Sequence, residues 1–548
     1  MRRNRNAFAL ALALVACACD NGGPDRQLAK EMEVIEEATE SFANALLDMS
    51  VAVRNRDSKT VARFFAPLVQ TNGIPGAAGQ PETSGWIVQQ HWIVSDQVSG
   101  ITGTQLVAQL DRFLSGCTVE DARFKVANST VSGQSVVAAV KWWLIARNPK
   151  GQRAWTRGRA DAAATRDRGA WRLDRFVVKK LHTMTAVVDV FDEVAEPAGM
   201  AATARPVAAR KDEPFAAYGT ATADVDRDGL LDLFATGADG NHLYRNLGDG
   251  TFDDIAKQAL VHQFPQTVTA PLFLDFDNDG DTDLFLSAIG TQVLLENRLV
   301  PDKKLVFWDV SNKRGVARPA IGFSAVATDV NGDGFPDIYV ASYNRYGEVL
   351  PDSWDGASNG TPNLLFVSKG DGTYAEAAAQ WGVADRRWTY AAGFADVDED
   401  GKPDLYIAND FGGGNALYMH RGDKFVDEAR SRGVVDGGYG MGVSFADYDN
   451  DGHLDLHVTR MSSTAGRRIL SRLGGGKLPT KDRLERMAVG NALYRNNGEG
   501  HFQEVTAEVG PFSGGWAWGG GFIDIDNNGF EDLYTPNGFI SGTSLKDT

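Results

Sequence analysis

Asp224-Val225-Asp226-Arg227-Asp228-Gly229-Leu230-Leu231-Asp232 is the stretch whose reading decides the fold. Counted from its first residue, it carries carboxylates at positions 1, 3, 5 and 9 and a glycine at position 6. The phrase recurs five more times. The further copies are Asp275/Asp277/Asp279/Asp283, Asp329/Asn331/Asp333/Asp337, Asp396/Asp398/Asp400/Asp404, Asp447/Asp449/Asp451/Asp455 and Asp524/Asp526/Asn528/Asp532. Alternating acids place several hard oxygens on one side of a tight loop, and the glycine permits the turn that returns the last Asp. Calcium takes six to eight oxygen ligands at roughly 2.3–2.6 Å, and this donor set suits it.

The loops are not EF-hands, which need a bidentate Glu at position 12 and a helix on each side. Position 12 is Ala235, Leu286, Val340, Ile407, Val458 or Thr535, and both flanks read as strands. The leading flank is Gly-rich and apolar, as in Tyr390-Ala-Ala-Gly-Phe-Ala395. The trailing flank is Leu233-Phe-Ala or Ile338-Tyr-Val. A hairpin phrase follows, as in Leu243-Tyr-Arg-Asn-Leu-Gly-Asp-Gly-Thr-Phe252, where Asp-Gly is turn chemistry. Each unit thus predicts about four strands, the content of one propeller blade. The first Asp falls at 224, 275, 329, 396, 447 and 524, so the spacings are 51, 54, 67, 51 and 77 residues. The two long spacings place insertions near Asn344–Pro362 and Met461–Ala488, the second rich in Arg and Lys.

These units resemble the FG-GAP/VCBS repeat family, and more narrowly its bacterial branch related to cartilage acidic proteins, which is associated with an ASPIC/UnbV tail. The Asp loops carry the likeness, with Ala408-Asn409-Asp410-Phe411-Gly412, Gly440-Met441-Gly442, Phe445–Gly452 and Pro536-Asn537-Gly538. The resemblance covers roughly residues 215–540. It implies an all-β propeller with calcium in the loop between the first two strands of each blade, held by the Asp and Asn positions quoted above. About six structural calcium ions are expected. Unit six reaches Thr548 two strands into its blade, with no ASPIC/UnbV tail after it. Six blades, with Arg205–Tyr218 supplying an outer strand to the last, are favoured over the seven more usual in the family.

The chain begins with Arg2, Arg3 and Arg5 and an apolar run, Ala7–Ala16, too short to span a bilayer and suited to a signal peptide. Leu14-Val15-Ala16-Cys17 resembles a bacterial lipobox, which implies lipidation at Cys17. The expected domains are a signal peptide over 1–19, a tether over 20–26, an α+β domain over 27–192, a linker over 193–214 and the propeller over 215–548. Localisation then follows as an exported, membrane-anchored lipoprotein facing the periplasm or the cell surface. After the lipobox region only Cys117 remains, so no intramolecular disulfide framework is expected, and Cys117 reads as a buried small apolar residue.

Fifty-five basic against 72 acidic residues give a net charge of −17. The ligand positions of the repeat loops hold 22 of the acids, and six calcium ions would offset most of the imbalance. No basic face interleaved with aromatics accompanies this charge, which argues against nucleic acid as a partner.

In the first domain Met32, Ile35, Ala38, Phe42, Leu46, Met49 and Val53 step by threes and fours and predict an amphipathic helix. Ser58–Phe65 and Gly103–Ser115 predict two shorter ones. The period then becomes two, and Val119–Asn128, Ser135–Arg147, Gln152–Thr165 and Ala170–His182 predict a long antiparallel meander. That order resembles the NTF2-like (SnoaL-like) α+β cone. Such cones often enclose a pocket, and His91, Asp96 and His182 are the candidate residues for one. A His/Asp pair could act there as general base.

The reading of function is a non-catalytic, calcium-stabilised propeller lipoprotein of the bacterial envelope that binds a protein or glycan partner. The alternatives are a polysaccharide-acting enzyme of lyase or dehydratase type, or an NTF2-like domain that binds or transforms a ligand with the propeller as scaffold. Arg421-Gly422-Asp423 spells an adhesion tripeptide but occupies a hairpin turn. Trp516 and Trp518 are candidate stacking residues at the axial mouth, with inner-strand packing as the simpler role.

Overall fold

The computed structural model describes residues 26–189, 191–200, 219–237, 240–345, 348–353, 356–435, 437–462, 486–510 and 517–536. The signal segment with Cys17, the Arg205–Tyr218 strand, Trp516 and most of the second insertion lie outside the described residues. The chain divides into two compact units near residue 193.

The first unit opens with helix α1 (Arg26–Arg54), then α2 (Ser58–Ala62), β1 (Phe65–Thr71), β2 (Glu82–Ser84), β3 (Ile87–His91), β4 (Ser99–Ile101) and α3 (Gly103–Phe113). Four long strands follow: β5 (Thr118–Ser132), β6 (Ser135–Arg147), β7 (Arg153–Asp167) and β8 (Ala170–Ala186). They pair in the order β2-β3-β8-β7-β6-β5, with β1 added parallel to β8. This is the helix-then-meander α+β arrangement of an NTF2-like domain. Alternation along β6 is strict: Val136, Ala138, Val140, Trp142, Leu144 and Ala146 are buried while their neighbours face out. One face therefore meets α1, whose Phe42, Leu46, Met49 and Val53 enter the same core. The helix α3 starts on a capping box, with Thr102 and Gln105 each bonding the other's backbone N–H. The short strands β1 to β4 escape a reading by periodicity because they span three to seven residues with no sustained alternation.

The second unit repeats one motif. Four antiparallel strands form each of five sheets, beginning at Thr220, Thr267, Pro319, Thr389 and Gly440, and a sixth pair joins Gly521–Ile523 to Asp532–Tyr534. The Asp-rich loop always connects the first strand to the second. First strands of successive sheets lie side by side, from Thr220–Ala223 through to Gly521–Ile523, as in a propeller. Second strands such as Asp404–Asn409 and Asp455–Arg460 are buried on both faces, which is why they read as unbroken apolar runs. The two faces meet different neighbours. Leu405 and Ile407 pack on Tyr339 and Leu365 of the preceding sheet, whereas Tyr406 and Ala408 pack on Leu456 and Val458 of the next.

The first insertion is more than a solvated loop. Asn359 accepts a 2.7 Å hydrogen bond from the indole N–H of fully buried Trp388, and Ala357 is buried against Phe411. Cys117 is half-buried rather than buried, and desolvation pushes its thiol up.

Candidate metal loops and the cone interior

Each Asp loop is held by the same bonds. The position-1 carboxylate accepts from the backbone N–H groups of positions 5 and 6: Asp224 takes Asp228 and Gly229 at 3.1 and 2.9 Å, and Asp447 takes Asp451 and Gly452 at 3.0 and 2.9 Å. Position 4 is left-handed in every copy (Arg227, Asn278, Gly332, Glu399, Asn450, Asn527), as is the glycine at position 6, here Gly229 or Gly452. Asn and Gly tolerate that conformation best. The position-9 carboxylate ties the loop to its sheet. Asp404 accepts from Val397 N at 3.2 Å and from His420 N, at the end of the third strand, at 2.8 Å. Asp232, Asp283, Asp337 and Asp455 repeat this with Asn246, Asn297, Ser368 and Asn496.

The position-3 carboxylate is different. One oxygen of Asp226, Asp277, Asp398 and Asp449 is buried and has no hydrogen-bond partner. Its other oxygen faces an arginine: Arg245 at 2.5 Å from Asp226, Arg314 at 3.1 Å from Asp277, Arg421 and Arg432 each at 3.6 Å from Asp398, and Arg495 beside Asp449. Buried polar atoms are rarely left unsatisfied, because desolvation without a partner costs about 1–3 kcal/mol.

Carboxylate oxygens converge in five of the six loops. Asp224/Asp226/Asp232, Asp396/Asp398/Asp404, Asp447/Asp449/Asp455 and Asp524/Asp526/Asp532 each bring three oxygens within 4.8 Å of one another, and in the second loop the set is Asp275/Asp277/Asp279, without Asp283. The third loop, Asp329/Asn331/Asp333/Asp337, forms no such set: Asn331 stands at position 3, and its amide bonds Asp333 at 3.1 Å.

Position 5 is not among the converging acids in the first, fourth and fifth loops. Asp228, Asp400 and Asp451 stand outside the converging sets, which consist of carboxylates and so leave the amide of Asn528 aside. A local bond is made at this position in every loop, Asp279 accepting from Asp281 N at 3.0 Å and Asp333 from Phe335 N at 2.9 Å included. One side-chain oxygen is turned to the backbone N–H of position 7, with Asp228 accepting from Leu230 at 2.9 Å, Asp400 from Lys402 at 3.0 Å, Asp451 from His453 at 3.0 Å and Asn528 from Phe530 at 2.8 Å. Asn528 is also an amide, which brings an oxygen to the loop but no negative charge. Asp400 and Asn528 thus close the turn as Asx residues do, and the convergence is carried by positions 1, 3 and 9.

Crowding shows in the acids themselves. Burial, reinforced by neighbouring carboxylates, pushes Asp283 up to about 9, Asp404 to about 7, and Asp337 and Asp455 to about 6, although two backbone N–H groups oppose the shift in each. A hard, oxygen-seeking cation would complete the orphaned position-3 oxygens and offset this repulsion, so the donor set fits calcium.

Adjacent loops are bonded together. Asn297 donates to Val225 O at 3.0 Å, His420 faces Val330 O at 2.9 Å, and Asn496 donates to Val397 O at 2.9 Å. His453 is not free in solvent: its ring nitrogen meets Glu399 of the preceding loop at 2.5 Å. The Tyr-Arg-Asn phrase, which reads as hairpin sequence, thus supplies Arg245 and Arg495 to position 3, and in the second of these phrases Asn496 anchors two loops at once. Its recurrence beside two Asp loops was the available signal. Arg421-Gly422-Asp423 is a turn, closed by Arg421 N to Lys424 O at 2.8 Å, and the arginine is engaged with Glu428.

The candidates in the cone do not converge on an interior site. His91 and His182 lie opposite each other on β3 and β8 with ring centroids 5.7 Å apart. Burial, Arg157 and His91 depress the His182 imidazole. Asp96 is exposed in the loop beyond. The cavity under α1 is apolar, lined by residues such as Met49, Ile74, Leu106, Phe124, Trp142 and Phe176, and the three candidates stand outside it. Trp142 points in and Trp143 out, under Lys125. Trp518 is half-buried against Tyr390, with centroids 5.9 Å apart. Among the described residues no helix is long and apolar enough to cross a membrane.

With these repeats in place the class is plain: the chain carries FG-GAP repeats. The FG-GAP-like repeat pattern matches residues 224–286, 329–407, 396–458 and 486–535. The chain is homologous to cartilage acidic protein 1. It is 28% identical to the human protein over 264 residues, 44% of this chain and 38% of that one, and 27% identical to the mouse protein, covering 39% of it. The matched region thus spans well under half of these relatives. Among solved structures, a protein of the NTF2-like family from Streptomyces avermitilis aligns over 26% of this chain and 96% of its own, at 13% identity and a TM-score of 0.20. A lectin of Agrocybe aegerita that recognises non-reducing terminal N-acetylglucosamine aligns over 88% of this chain and 100% of its own, at 12% identity and a TM-score of 0.32.

Proposed function

We propose that the protein is a non-catalytic binding module whose propeller is stabilised by calcium, exported and tethered by a lipid at Cys17, and that it recognises a protein or glycan of the cell envelope. The observation that carries the calcium reading is the buried, unpartnered oxygen on the position-3 Asp of four loops, each inside a cluster of converging carboxylates. The ions would be held by positions 1, 3 and 9, as Asp224, Asp226 and Asp232 in the first loop, and by positions 1, 3 and 5 in the second, as Asp275, Asp277 and Asp279. Asp228, Asp400 and Asp451 at position 5 each keep a second carboxylate oxygen beyond the one that closes the turn. When bound, calcium would supply the positive charge that draws the converging acids of a loop together. The chain's own part is to fix the acids: position 1 closes the turn, position 9 fastens it to the third strand, and Asn297, His420 and Asn496 connect neighbouring blades. This makes a rigid rim on which insertions can be displayed, the usual way repeat folds present binding surfaces.

Scanning calorimetry in calcium and in EGTA tests the metal reading. A transition for the repeat unit that is indifferent to EGTA would sink it. Size-exclusion chromatography with a panel of polysaccharides in calcium tests the binding reading. Co-elution with intact chains supports glycan recognition, neither effect directs the search to an envelope protein, and shortened chains would overturn the non-catalytic assignment.

A further inference from the structure

The second loop differs from the other five at position 7. That position is Leu230, Phe335, Lys402, His453 or Phe530 elsewhere, and Asp281 here, so the loop reads Asp275-Phe-Asp-Asn-Asp-Gly-Asp-Thr-Asp283 with five alternating acids. Asp281 is also 1% exposed, whereas Lys402 and Phe530 are exposed. One of its oxygens accepts from Val300 N at 2.7 Å, capping the helical turn Leu299–Asp302. The other is buried without a hydrogen-bond partner. Its backbone N–H donates to Asp279 at 3.0 Å, and Asp279 and Asp277 are the charges that act on its carboxyl. This is also the loop in which the converging set includes position 5, as Asp275/Asp277/Asp279, in place of position 9.

A capping role accounts for one oxygen of Asp281 and leaves the other unexplained. Asn or Ser would cap Val300 as well without burying a charge beside two other carboxylates. The orphaned oxygens of Asp277 and Asp281 in one loop are satisfied together by a cation. Affinity in oxygen-ligand sites rises with the number of charged ligands.

We infer that Asp281 is an additional carboxylate ligand peculiar to the second loop, and that this loop is the tightest divalent-cation site of the chain. The assignment rests on the calcium reading of the repeats. Calorimetric titration of the chelated full chain with calcium, beside Asp281→Asn and Lys402→Asp, tests it. Asn keeps an acceptor for Val300 and removes the charge, so the tightest site of the wild type should weaken by about tenfold or more while the others hold. Lys402→Asp places a carboxylate at the same position of the fourth loop, on an exposed residue, and should tighten one site. An Asp281→Asn titration that superimposes on the wild type overturns the assignment, as does a uniform weakening of all sites. If Asp281→Asn does not fold, Lys402→Asp decides, and a curve unchanged from the wild type overturns the inference. A wild type that takes up no calcium would remove the calcium reading itself, which separates the two failures.

Discussion

The two units of this chain are both mostly antiparallel sheet, and they complete their stability by different means. In the N-terminal unit one curved sheet has a single inner face, and that face is closed by a 29-residue helix and by aromatic rings: Phe124 stacks on Trp142 at 5.6 Å and Phe42 meets Trp171 at 5.6 Å. Its buried polar residues, among those described, are the neutral hydroxyls Thr39, Ser50, Thr71, Ser129 and Thr156. In the repeat unit the second strands of the second to fifth sheets are buried on both faces by their neighbours, so packing is satisfied locally in these copies. What remains is the connection between first and second strands, where three or four acids share a few ångströms. Coulomb repulsion among such partly buried charges amounts to kcal/mol per pair. The comparison teaches that an apolar core and a set of charged loops answer to different reagents, and four experiments bear on it.

The largest effect should come from EGTA. Saturating ligand at one site adds about 2.7 kcal/mol at a hundredfold excess over Kd. Several sites together should therefore lower the repeat transition in calorimetry by more than about 10 °C. The cone transition should stay in place, and a cone that melts with the repeats would break the contrast. Next, Trp142→Ala empties the centre of the cone and should cost about 3–5 kcal/mol in denaturant unfolding. Calcium uptake by the repeats should be unaffected. Gly158 sharpens the point, since a Cβ there would lie 2.3 Å from the Trp142 ring. Smaller is Asp404→Ala, which strips the acceptor from Val397 N and His420 N and should cost about 2–3 kcal/mol in the repeat unit even in excess calcium. Smallest is Asn297→Ala, which removes bonds to Val225 O and Thr282 O and should cost about 1–2 kcal/mol. Combined with Asp226→Ala in a double-mutant cycle, it should show coupling between the first two loops. Strict additivity would mean that the loops act alone.

Much of this architecture is legible in residue order. The Asp loops are local, nine residues long, and their turn chemistry is fixed by the glycine, so they are readable without any tertiary knowledge. The long strands of the cone follow from period-two alternation, and Ser135–Arg147 coincides with its predicted bounds. Strands β1 to β4 do not announce themselves, because such short segments are selected by the sheet they join and not by their own pattern. The spacing of the acids also treats position 5 as the equal of positions 1, 3 and 9, and it does not show that Asp400 and Asn528 turn an oxygen to a backbone N–H two residues on. Asp281 passes unnoticed for a related reason. Position 7 of the loop contributes a backbone carbonyl in the general scheme, and only the structure shows this side chain buried with one oxygen left without a partner.

The sequence alone determined that six acidic loops recur, that strands flank them and that a helix-led α+β unit precedes them. Those properties depend on neighbours within about ten residues. Only the tertiary structure decided which acids meet, which oxygens are left without donors, and that Arg245, Arg314 and Arg495 come to the position-3 acids from other strands and turns. It also decided that His91 and His182 stack while Asp96 stands apart. Periodicity assigns a side chain to a face. Which groups share that face, and how much water reaches them, is fixed by strands distant in sequence.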